Sequence, residues 1–409
     1  MKLGMKSSKK LIYLDHAATT PVRSEVLRAM RPFWTEHFGN PSSLYKQGVI
    51  AKQAVEDSRS RVASVLGVRS SEIVFTAGGT ESVNLAILGI ARRYRESHKT
   101  GGHIITSNIE HHAVLRACEH LEHEGFSVTY IPVDKDGLFN PEQIEKTIRK
   151  DTILVSLMYA NNEIGTIEPI AEIGRLIRNV NANRRQLKPK AYGLGPILFH
   201  SDACQAAGFL DIRVHKLGVD LLSLNASKIY GPKQVGCLYV RSGVELQSVL
   251  FGGGQEKDLR SGTENVAGVV GFARALELAQ KEREKETQRL VVLRDWFSHR
   301  LLKEISKTKL NGPKQNRLPN NLNITVLGAE GEALMLYLDA YNISVSTGSA
   351  CAEESADPSH VLLAIGLSPK VAKQSIRITL GRATTKQELN YVLKVLTKIT
   401  EQVRHMKTL

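Results

Sequence analysis

The sequence predicts an α/β protein with a large domain built on a mostly parallel sheet and a smaller α/β domain towards the C-terminal end. Two observations carry this prediction. Short β-rich runs alternate with amphipathic helical stretches between residues 72 and 241, and a shorter alternation follows a long helical stretch. Such alternation is typical of parallel sheets covered by helices on both faces. The length of 409 residues exceeds that of one ordinary domain and is typical of chains with two lobes.

Seven strands are predicted in the first part of the chain, each a short run rich in apolar and β-branched residues. In order they are "EIVFTAG" (72–78), "HIITSN" (103–108), "SVTYIPV" (127–133), "TILVSLMYA" (152–160), "PILFHSDA" (196–203), "DLLSLNAS" (220–227) and "VGCLYVR" (235–241). Because amphipathic helical stretches alternate with them, the sheet is expected to be largely parallel.

A long helix is predicted from Asn265 to about Ile305, where helical periodicity continues with charges on the outer face and no internal proline. The second alternation follows it, with strands "NLNITVL" (321–327), "ISVST" (343–347) and "SIRITLG" (375–381), and helices "GEALMLYLDAY" (331–341), "PSHVLLAIGL" (358–367) and "TKQELNYVLKVLTKITEQV" (385–403). We therefore expect a large domain over residues 16–264 and a small one over residues 265–409 together with residues 1–15.

The composition excludes several classes of protein. No stretch approaches the roughly 20 apolar residues that span a bilayer, so no membrane association is expected. The basic start "MKLGMKSSKK" is followed by only four apolar or aromatic residues, which is too short for a secretory signal, and a cytoplasmic location is expected. The four cysteines lie far apart with no CxxC pair, which argues against a zinc site and a disulfide framework.

The net charge of +14 raises the alternative of a basic nucleic-acid-binding protein. Much of the excess lies in the N-terminal tail, in "RRQLKPK" (184–190) and along the C-terminal helix, without interleaved aromatic residues or a recognisable nucleic-acid module. Solvated basic faces are the favoured interpretation, and direct binding of nucleic acid is not expected.

Chemistry-bearing residues follow several predicted strands. Gly78 and Gly79 precede a helix that opens at Thr80, and free N–H groups at a helix start suit a phosphate, although an ordinary turn has the same pattern. Asp202 and Gln205 also follow a strand, as does Lys228. In open α/β sheets ligands bind outside the carboxyl ends of strands. A lysine for a Schiff base, an aspartate for a pyridine nitrogen and a phosphate site together fit pyridoxal phosphate (PLP).

Cys351 lies in "SVSTGSACAEESADPS" (344–359), a run of small and charged residues that reads as a loop. A structural cysteine is usually buried among apolar side chains, so this position favours a chemical role for the thiol. Cys118 and Cys237, in contrast, lie within predicted helix and strand and are expected to be packing residues, and Cys204 is left unassigned.

Residues 11–409 resemble a cysteine desulfurase of the class V aminotransferase family, with fold type I. Eleven stretches in order carry the resemblance: "YLDHAATTP" (13–21), "FGNPSS" (38–43), "GGTESVNLAI" (78–87), "EHHAVL" (110–115), "NNEIGTI" (161–167), "SDACQ" (201–205), "SKIYGPK" (227–233), "GGGQEKDLRSGTENV" (252–266), "RLPNNLN" (317–323), "STGSAC" (346–351) and "IRITLGR" (376–382). The large domain would then hold PLP, and the small one would carry the cysteine loop.

The resemblance also implies roles for individual residues. Lys228, Cys351 and His111 would be the catalytic residues. Lys228 would carry the cofactor and act as general base, Cys351 would accept the sulfur, and Arg377 would bind the substrate carboxylate. The remaining residues would contact the cofactor. At its ring, His111 would stack on the face, Asp202 would bind the pyridine nitrogen and Gln205 the phenolic oxygen, with Asn162 beside that oxygen and the substrate. At its phosphate, Gly79 and Thr80 would bind from the same chain, and Thr263 would reach it from the other subunit of a homodimer.

Three positions differ from the usual family pattern. Where the family commonly has Ser-x-His-Lys, this chain has Asn225, Ala226, Ser227 and Lys228, so the imidazole is missing while Asn225 and Ser227 keep hydrogen-bond donors. Tyr45 also stands where a histidine is common. Asn225 and Ser227 are predicted to contact the phosphate.

The resemblance therefore implies a PLP-dependent enzyme that converts L-cysteine to L-alanine and leaves a persulfide on Cys351. The acceptor would be a protein such as an iron–sulfur scaffold or a tRNA-thiolation enzyme. A selenocysteine lyase-like or aminotransferase activity is the alternative within the same fold, and an aminotransferase has no need of Cys351. Two alternatives stay open. Arg377 could belong to an ordinary ion pair, and Asn161 and Asn162 could both be turn formers.

Overall fold

Three sheets organise the protein in the computed structural model, which describes residues 10–186, 195–347 and 357–406. The largest has seven strands and lies where seven strands were predicted. The strands are β1 (Ile12–Tyr13), β2 (Ile73–Thr76), β3 (His103–Ser107), β4 (Ser127–Ile131), β5 (Thr152–Ser156), β6 (Leu198–Asp202), β7 (Leu221–Asn225), β8 (Gly236–Val240), β9 (Thr308–Leu310), β10 (Asn321–Val326), β11 (Ile343–Ser344) and β12 (Ser375–Thr379).

The helices connect and cover these sheets. They are α1 (Ser24–Met30), α2 (Pro32–Thr35), α3 (Lys46–Leu66), α4 (Gly79–His98), α5 (His112–His123), α6 (Pro141–Thr147), α7 (Ile170–Gln186), α8 (Val214–Leu217), α9 (Val266–Glu304), α10 (Gly331–Asp339), α11 (His360–Ala364), α12 (Pro369–Ala372) and α13 (Lys386–Met406). Short 3₁₀ helices occupy Ser70–Glu72, Ala226–Lys228 and Gln255–Asp258.

The large sheet has the strand order β2-β8-β7-β6-β5-β3-β4. Strands β3 to β7 are parallel to their neighbours within that group, whereas β8 runs antiparallel to both β7 and β2. The short connection between β7 and β8 explains this reversal, since a parallel return needs a crossover of about a dozen or more residues. The mostly parallel sheet predicted from the sequence is thus confirmed.

Apolar side chains cover both faces of the large sheet. One buried cluster packs α3, α7 and the first part of α9 against it, and another packs α4 and α5 against the opposite face. Whereas most residues of the edge strand β4 are partly exposed, strands β3, β5 and β7 are almost wholly buried, which accounts for their continuous apolar runs. Their carboxyl ends all open at one edge of the sheet, where the predicted site residues lie.

The C-terminal part of the chain has a core of its own. Strands β9, β10 and β12 form an antiparallel sheet covered by α10 and α13, and β1 pairs in parallel with β11. Helix α9 spans 39 residues, and its two ends contribute to different buried clusters. The domain limits at residues 15, 264 and 265 stay a prediction. Within the described ranges, no helix is both long enough and apolar enough to cross a membrane.

Candidate active site

A cavity of about 290 Å³ opens at the carboxyl ends of β6 and β7. Nine of the predicted site residues line it together: Gly79, Thr80, His111, Asn162, Asp202, Gln205, Asn225, Lys228 and Arg377. They come from strand ends, helix starts and one strand of the C-terminal sheet, so only the folded chain assembles them. This clustering supports the prediction of a ligand site, while the role of each residue stays a prediction.

Three predicted residues do not line this cavity. Ser227 lines an adjoining cavity of about 650 Å³, which it shares with Thr80 and Asn225. Thr263 is exposed and lines neither cavity of its own chain. Cys351 lies outside the described residues.

Lys228 ends the 3₁₀ helix that directly follows β7. Its Nζ donates a hydrogen bond to the carbonyl oxygen of Ala18, which belongs to the loop after β1. The amine is therefore held against the N-terminal loop, at a cavity that both Lys228 and Ala18 line. The contact with Ala18 could not be predicted from the sequence, because a backbone carbonyl leaves no mark in the side-chain pattern.

Asp202 is the last residue of β6, and its Oδ1 accepts a hydrogen bond from the backbone N–H of Cys204 at 2.9 Å. Gln205 follows in the same turn and donates from Nε2 to the carbonyl oxygen of Ala17 at 3.0 Å. Cys204 also lines the cavity, and burial raises the pKa of its thiol well above the ordinary value. Its thiol is thus neutral and unsuited to act as a nucleophile.

His111 caps the start of α5, and its Nδ1 accepts a hydrogen bond from the backbone N–H of Ala113 at 3.1 Å. Burial lowers the pKa of His111, while the charge of Asp202 opposes that shift and the charge of Lys228 adds to it. The ring is therefore neutral with its proton on Nε2, because Nδ1 is already an acceptor. His112 lies inside the helix and its ring packs against His360 at 4.8 Å between centroids.

The two adjacent asparagines differ in their surroundings. Asn161 is fully buried, and its Oδ1 accepts hydrogen bonds from the backbone N–H groups of Glu163 and Ile164 at 2.8 and 3.0 Å, which makes it a turn former. Asn162 instead lines the cavity, and its carbonyl oxygen accepts a hydrogen bond from Arg377. The geometry supports Asn162 rather than Asn161 for a ligand contact.

Arg377 is 3% exposed and lines the cavity from β12. One terminal nitrogen donates to Oδ1 of Asp15 at 2.8 Å, and the other donates to the carbonyl oxygen of Asn162 at 3.2 Å. Its buried Nε has no hydrogen-bond partner among the described residues. The ion-pair alternative is therefore present in the structure, yet it leaves part of the guanidinium unsatisfied. The contact of Arg377 with Asp15 was not predicted, although Asp15 belongs to the "YLDHAATTP" motif.

The donor set fits PLP. A carboxylate and a primary amine face the same cavity, a neutral imidazole borders it, and helix α4 begins there with its free N–H groups. Gly79 keeps the start of α4 open, since a Cβ at this position would lie 2.7 Å from Sγ of Cys204. The orphaned Nε of Arg377 adds a donor for an anionic group.

Comparisons with known proteins agree with this geometry. The family model described as aminotransferase class-V matches residues 12–392. Cysteine desulfurase IscS of Dictyoglomus turgidum is 50% identical over 97% of this chain and 96% of its own length. The solved structure of a NifS-like protein superposes with a TM-score of 0.87 at 37% identity, covering 96% of this chain and all of that one.

The solved structure of SspA in complex with cysteine is also similar, with a TM-score of 0.76 and 37% identity over 90% of this chain and 98% of that one. The chain belongs to the class-V aminotransferase family, whose members are PLP-dependent enzymes, and its full-length relatives are cysteine desulfurases. Fold type I, expected from the sequence, is confirmed by these structural neighbours.

Proposed function

We propose that this protein is a cysteine desulfurase that converts L-cysteine to L-alanine and leaves the sulfur as a persulfide on Cys351. One observation carries the proposal: Lys228, Asp202, His111 and Arg377 line one cavity at the carboxyl edge of a parallel sheet. Full-length similarity to cysteine desulfurases supports the same activity. The alternative of a nucleic-acid-binding protein has no comparable support from the geometry.

Different residues would hold the different chemical groups of the cofactor. Lys228 would bind the aldehyde carbon and Asp202 the protonated pyridine nitrogen, while His111 would cover the ring. Gln205 can offer its second amide hydrogen to the phenolic oxygen, because the first is bonded to Ala17. The N-terminus of α4 at Gly79 and Thr80 would hold the phosphate, and PLP bound in this way supplies an electron sink for the substrate carbon.

Arg377 would bind the carboxylate of L-cysteine, with Asn162 beside it. Its guanidinium is already fixed by Asp15 and by the carbonyl oxygen of Asn162, so little conformational freedom is lost when a second carboxylate arrives. Lys228 would then move the proton from the α-carbon as general base, since its amine lies at the same cavity.

The sulfur step needs no external oxidant. The thiolate of Cys351 attacks the sulfur of the bound L-cysteine, an S–S bond forms and the Cβ–S bond breaks, and the carbon skeleton takes up the electron pair and a proton to become L-alanine. Substrate and enzyme thiol together therefore yield alanine and a persulfide with atoms and electrons balanced. Cys204 is not a substitute, because its pKa is raised.

A homodimer and a cytoplasmic setting belong to the same proposal. The face around α2 and the start of α3 exposes several large apolar side chains, and so does the loop before Thr263: Trp34, Phe38, Leu44, Tyr45, Val49, Leu250 and Phe251. Exposed apolar side chains in such number are typical of subunit interfaces. The cysteines within the described ranges are free thiols, as suits a reducing compartment. A protein acceptor would finally take the sulfur.

The visible spectrum of the purified protein, before and after addition of L-cysteine, tests the cofactor assignment. We expect a PLP absorbance that changes on adding L-cysteine, and a pyridoxyl group on Lys228 after borohydride treatment. Lys228→Ala should lose that covalent link while remaining folded. A pyridoxyl group still attached to Lys228→Ala would contradict the assignment.

The sulfur assignment needs a second measurement. Intact mass after one turnover should show one added sulfur on the parent protein together with released alanine. Cys351→Ser should bind L-cysteine with the same spectral change but gain no sulfur and release no alanine. Cys118→Ala, at a buried packing cysteine in α5, is the matched control and should behave as the parent.

A further inference from the structure

Two hydrogen bonds, one buried and one partly buried, hold the chain just after residue 357. Oγ of Ser359 donates to Oε2 of Glu163 at 2.5 Å, and Nε2 of His360 donates to the carbonyl oxygen of Glu110 at 2.9 Å. Glu163 is 4% and Ser359 6% exposed, so solvent does not compete for the first bond. Ser359 also caps α11, because its Oγ accepts from the N–H of Leu362 at 3.2 Å.

These bonds attach the chain to the borders of the candidate active site. Glu163 directly follows Asn162 and Glu110 directly precedes His111, and both of those neighbours line the cavity. The chain that follows the Cys351 segment is therefore bonded to two residues, Glu163 and Glu110, each of which is next in sequence to a residue that lines the cavity.

The upstream flank is held there as well. Ser346, two residues after β11, exchanges backbone hydrogen bonds of 3.1 and 2.6 Å with Arg377 of β12. Cys351 comes five positions after Ser346 and eight positions before Ser359 in the sequence, so chain length alone limits it to about 18 Å from the first and about 29 Å from the second. Fixing both ends restricts the space open to the thiol more than fixing one end, which raises its effective concentration at the site.

The position of Glu163 is fixed by its own backbone. Its N–H donates to Oδ1 of Asn161 at 2.8 Å, and its carbonyl oxygen accepts from the amides of Asn321 and Asn323 at 3.2 and 3.3 Å. Burial raises the pKa of Glu163 to about 7, while the hydroxyl of Ser359 and the charge of Arg377 act in the opposite direction. A buried carboxyl group is costly, and its burial here is compensated mainly by Ser359.

We propose that Glu163 is a positioning residue that, through Ser359, holds the end of the Cys351 segment beside the cavity. The inference rests on the proposed function, because it takes Cys351 as the sulfur acceptor. Glu163 itself does not line the cavity, so it acts through Ser359 and not on the substrate. Its loss should slow transfer of sulfur to Cys351 while leaving the binding of L-cysteine intact.

Single-turnover persulfide formation in Ser359 variants tests this inference. Ser359→Ala removes the hydroxyl and should slow the rate, measured by intact mass, about tenfold or more. Ser359→Thr keeps the hydroxyl and should restore most of the rate. In both variants the Kd for L-cysteine, from the spectral titration, should stay within about twofold of the parent value. Ser58→Ala is the matched control, since Ser58 is a buried serine whose hydroxyl bonds the carbonyl oxygen of Ala54 in α3.

A measurement that needs no turnover completes the test. In cofactor-free protein, hydrogen exchange at the N–H of Leu362 should accelerate at least about tenfold in Ser359→Ala and in Glu163→Ala, whereas Glu163→Gln, which keeps an acceptor oxygen, should resemble the parent. Equal persulfide rates in the parent and Ser359→Ala would overturn the inference, and so would a loss of L-cysteine affinity as large as the loss of rate. A parent protein that forms no persulfide would instead overturn the proposed function.

Discussion

Some residues of the site could be predicted from the sequence to lie close together, and others could not. Asp202 and Lys228 follow buried strands, and the carboxyl ends of parallel strands meet at one edge, so their proximity could be predicted. The contact of Arg377 with Asp15 joins residues 362 positions apart in sequence. No local pattern indicates such a pair, because it depends on how β12 packs beside the N-terminal loop.

We expect Arg377→Lys to weaken the binding of L-cysteine by about tenfold or more, because a lysine cannot make the planar two-point contact with a carboxylate. The Kd measured by spectral titration with L-cysteine checks this. Cysteamine, which lacks the carboxylate, is the control ligand, and its Kd should change little. If both ligands bind the variant as they bind the parent, Arg377 serves only the ion pair with Asp15.

The turn after β7 shows how this chain accommodates Ser227 in place of the histidine that is common in the family. Oδ1 of Asn225 accepts from both the backbone N–H and the hydroxyl of Ser227, each at 3.1 Å. The amide nitrogen of Asn225 is thereby directed away from that turn, and both side chains border the cavity at the start of α4. The two residues thus form one bonded pair next to the predicted phosphate position.

Ser227→Ala should therefore lower the affinity for PLP several-fold, because it removes one donor and loosens Asn225, whose Oδ1 loses a partner. Ser227→His, which restores the imidazole common in the family, should be tolerated or bind PLP more tightly. Equilibrium dialysis of PLP against the cofactor-free proteins measures this. Identical affinities in the parent, Ser227→Ala and Ser227→His would remove Ser227 from the phosphate site.

A buried ion pair fixes the loop that leads to Thr263. Both oxygens of Glu256 accept from the guanidinium of Arg59 in α3, at 2.6 and 2.8 Å, and Oε2 also accepts from the backbone N–H of Phe75 at 2.7 Å. Glu256 adopts a left-handed backbone conformation with φ of 47°. Apart from the short 3₁₀ turn at Gln255–Asp258, this loop is therefore held by side-chain bonds, and for that reason no periodic pattern in the sequence predicts its course.

We expect Glu256→Ala to lower the free energy of unfolding by about 3–5 kcal/mol, because it leaves the buried Arg59 cation with only the exposed carboxylate of Glu56 beside it and removes the acceptor of the Phe75 N–H. Urea unfolding at a fixed protein and PLP concentration checks the value. Glu245→Ala, at an exposed pair with Arg93, is the control and should cost no more than about 1 kcal/mol. A cost for Glu256→Ala as small as that of the control would mean that the buried pair contributes little to stability.

For the whole molecule, the sequence predicted the strands and the long helix because each forms a strong local pattern. The seven predicted strands of the large sheet correspond to β2–β8, and α9 occupies the predicted long helix. The antiparallel placement of β8 and the joining of β1 to β11 were not predicted, since both depend on contacts between distant parts of the chain. Of the site, the contacts of Ala17, Ala18 and Asp15 escaped prediction because they are made by backbone carbonyls or by a carboxylate far away in sequence, and the place of Cys204 in the cavity lining was not predicted either.

The arrangement of whole subunits is tested by mixing inactive chains. Thr263 is exposed and lines neither cavity of its own chain, whereas Lys228 and Asp202 line one cavity together. If Thr263 serves the phosphate of the neighbouring subunit, Thr263→Asp should inactivate the enzyme by repelling that phosphate. A hybrid of one Lys228→Ala chain and one Thr263→Asp chain then contains one site with both changes and one site with neither.

We therefore expect such hybrids, purified through two different affinity tags, to regain about half of the parent's activity per dimer, because one of their two sites is complete. Hybrids of Lys228→Ala with Asp202→Ala are the control, since both residues belong to the same chain's site and every site of that hybrid carries one defect. Alanine release from L-cysteine measures both. Control hybrids should stay inactive, and failure of the first hybrids to regain activity would mean that Thr263 does not act across the subunit interface.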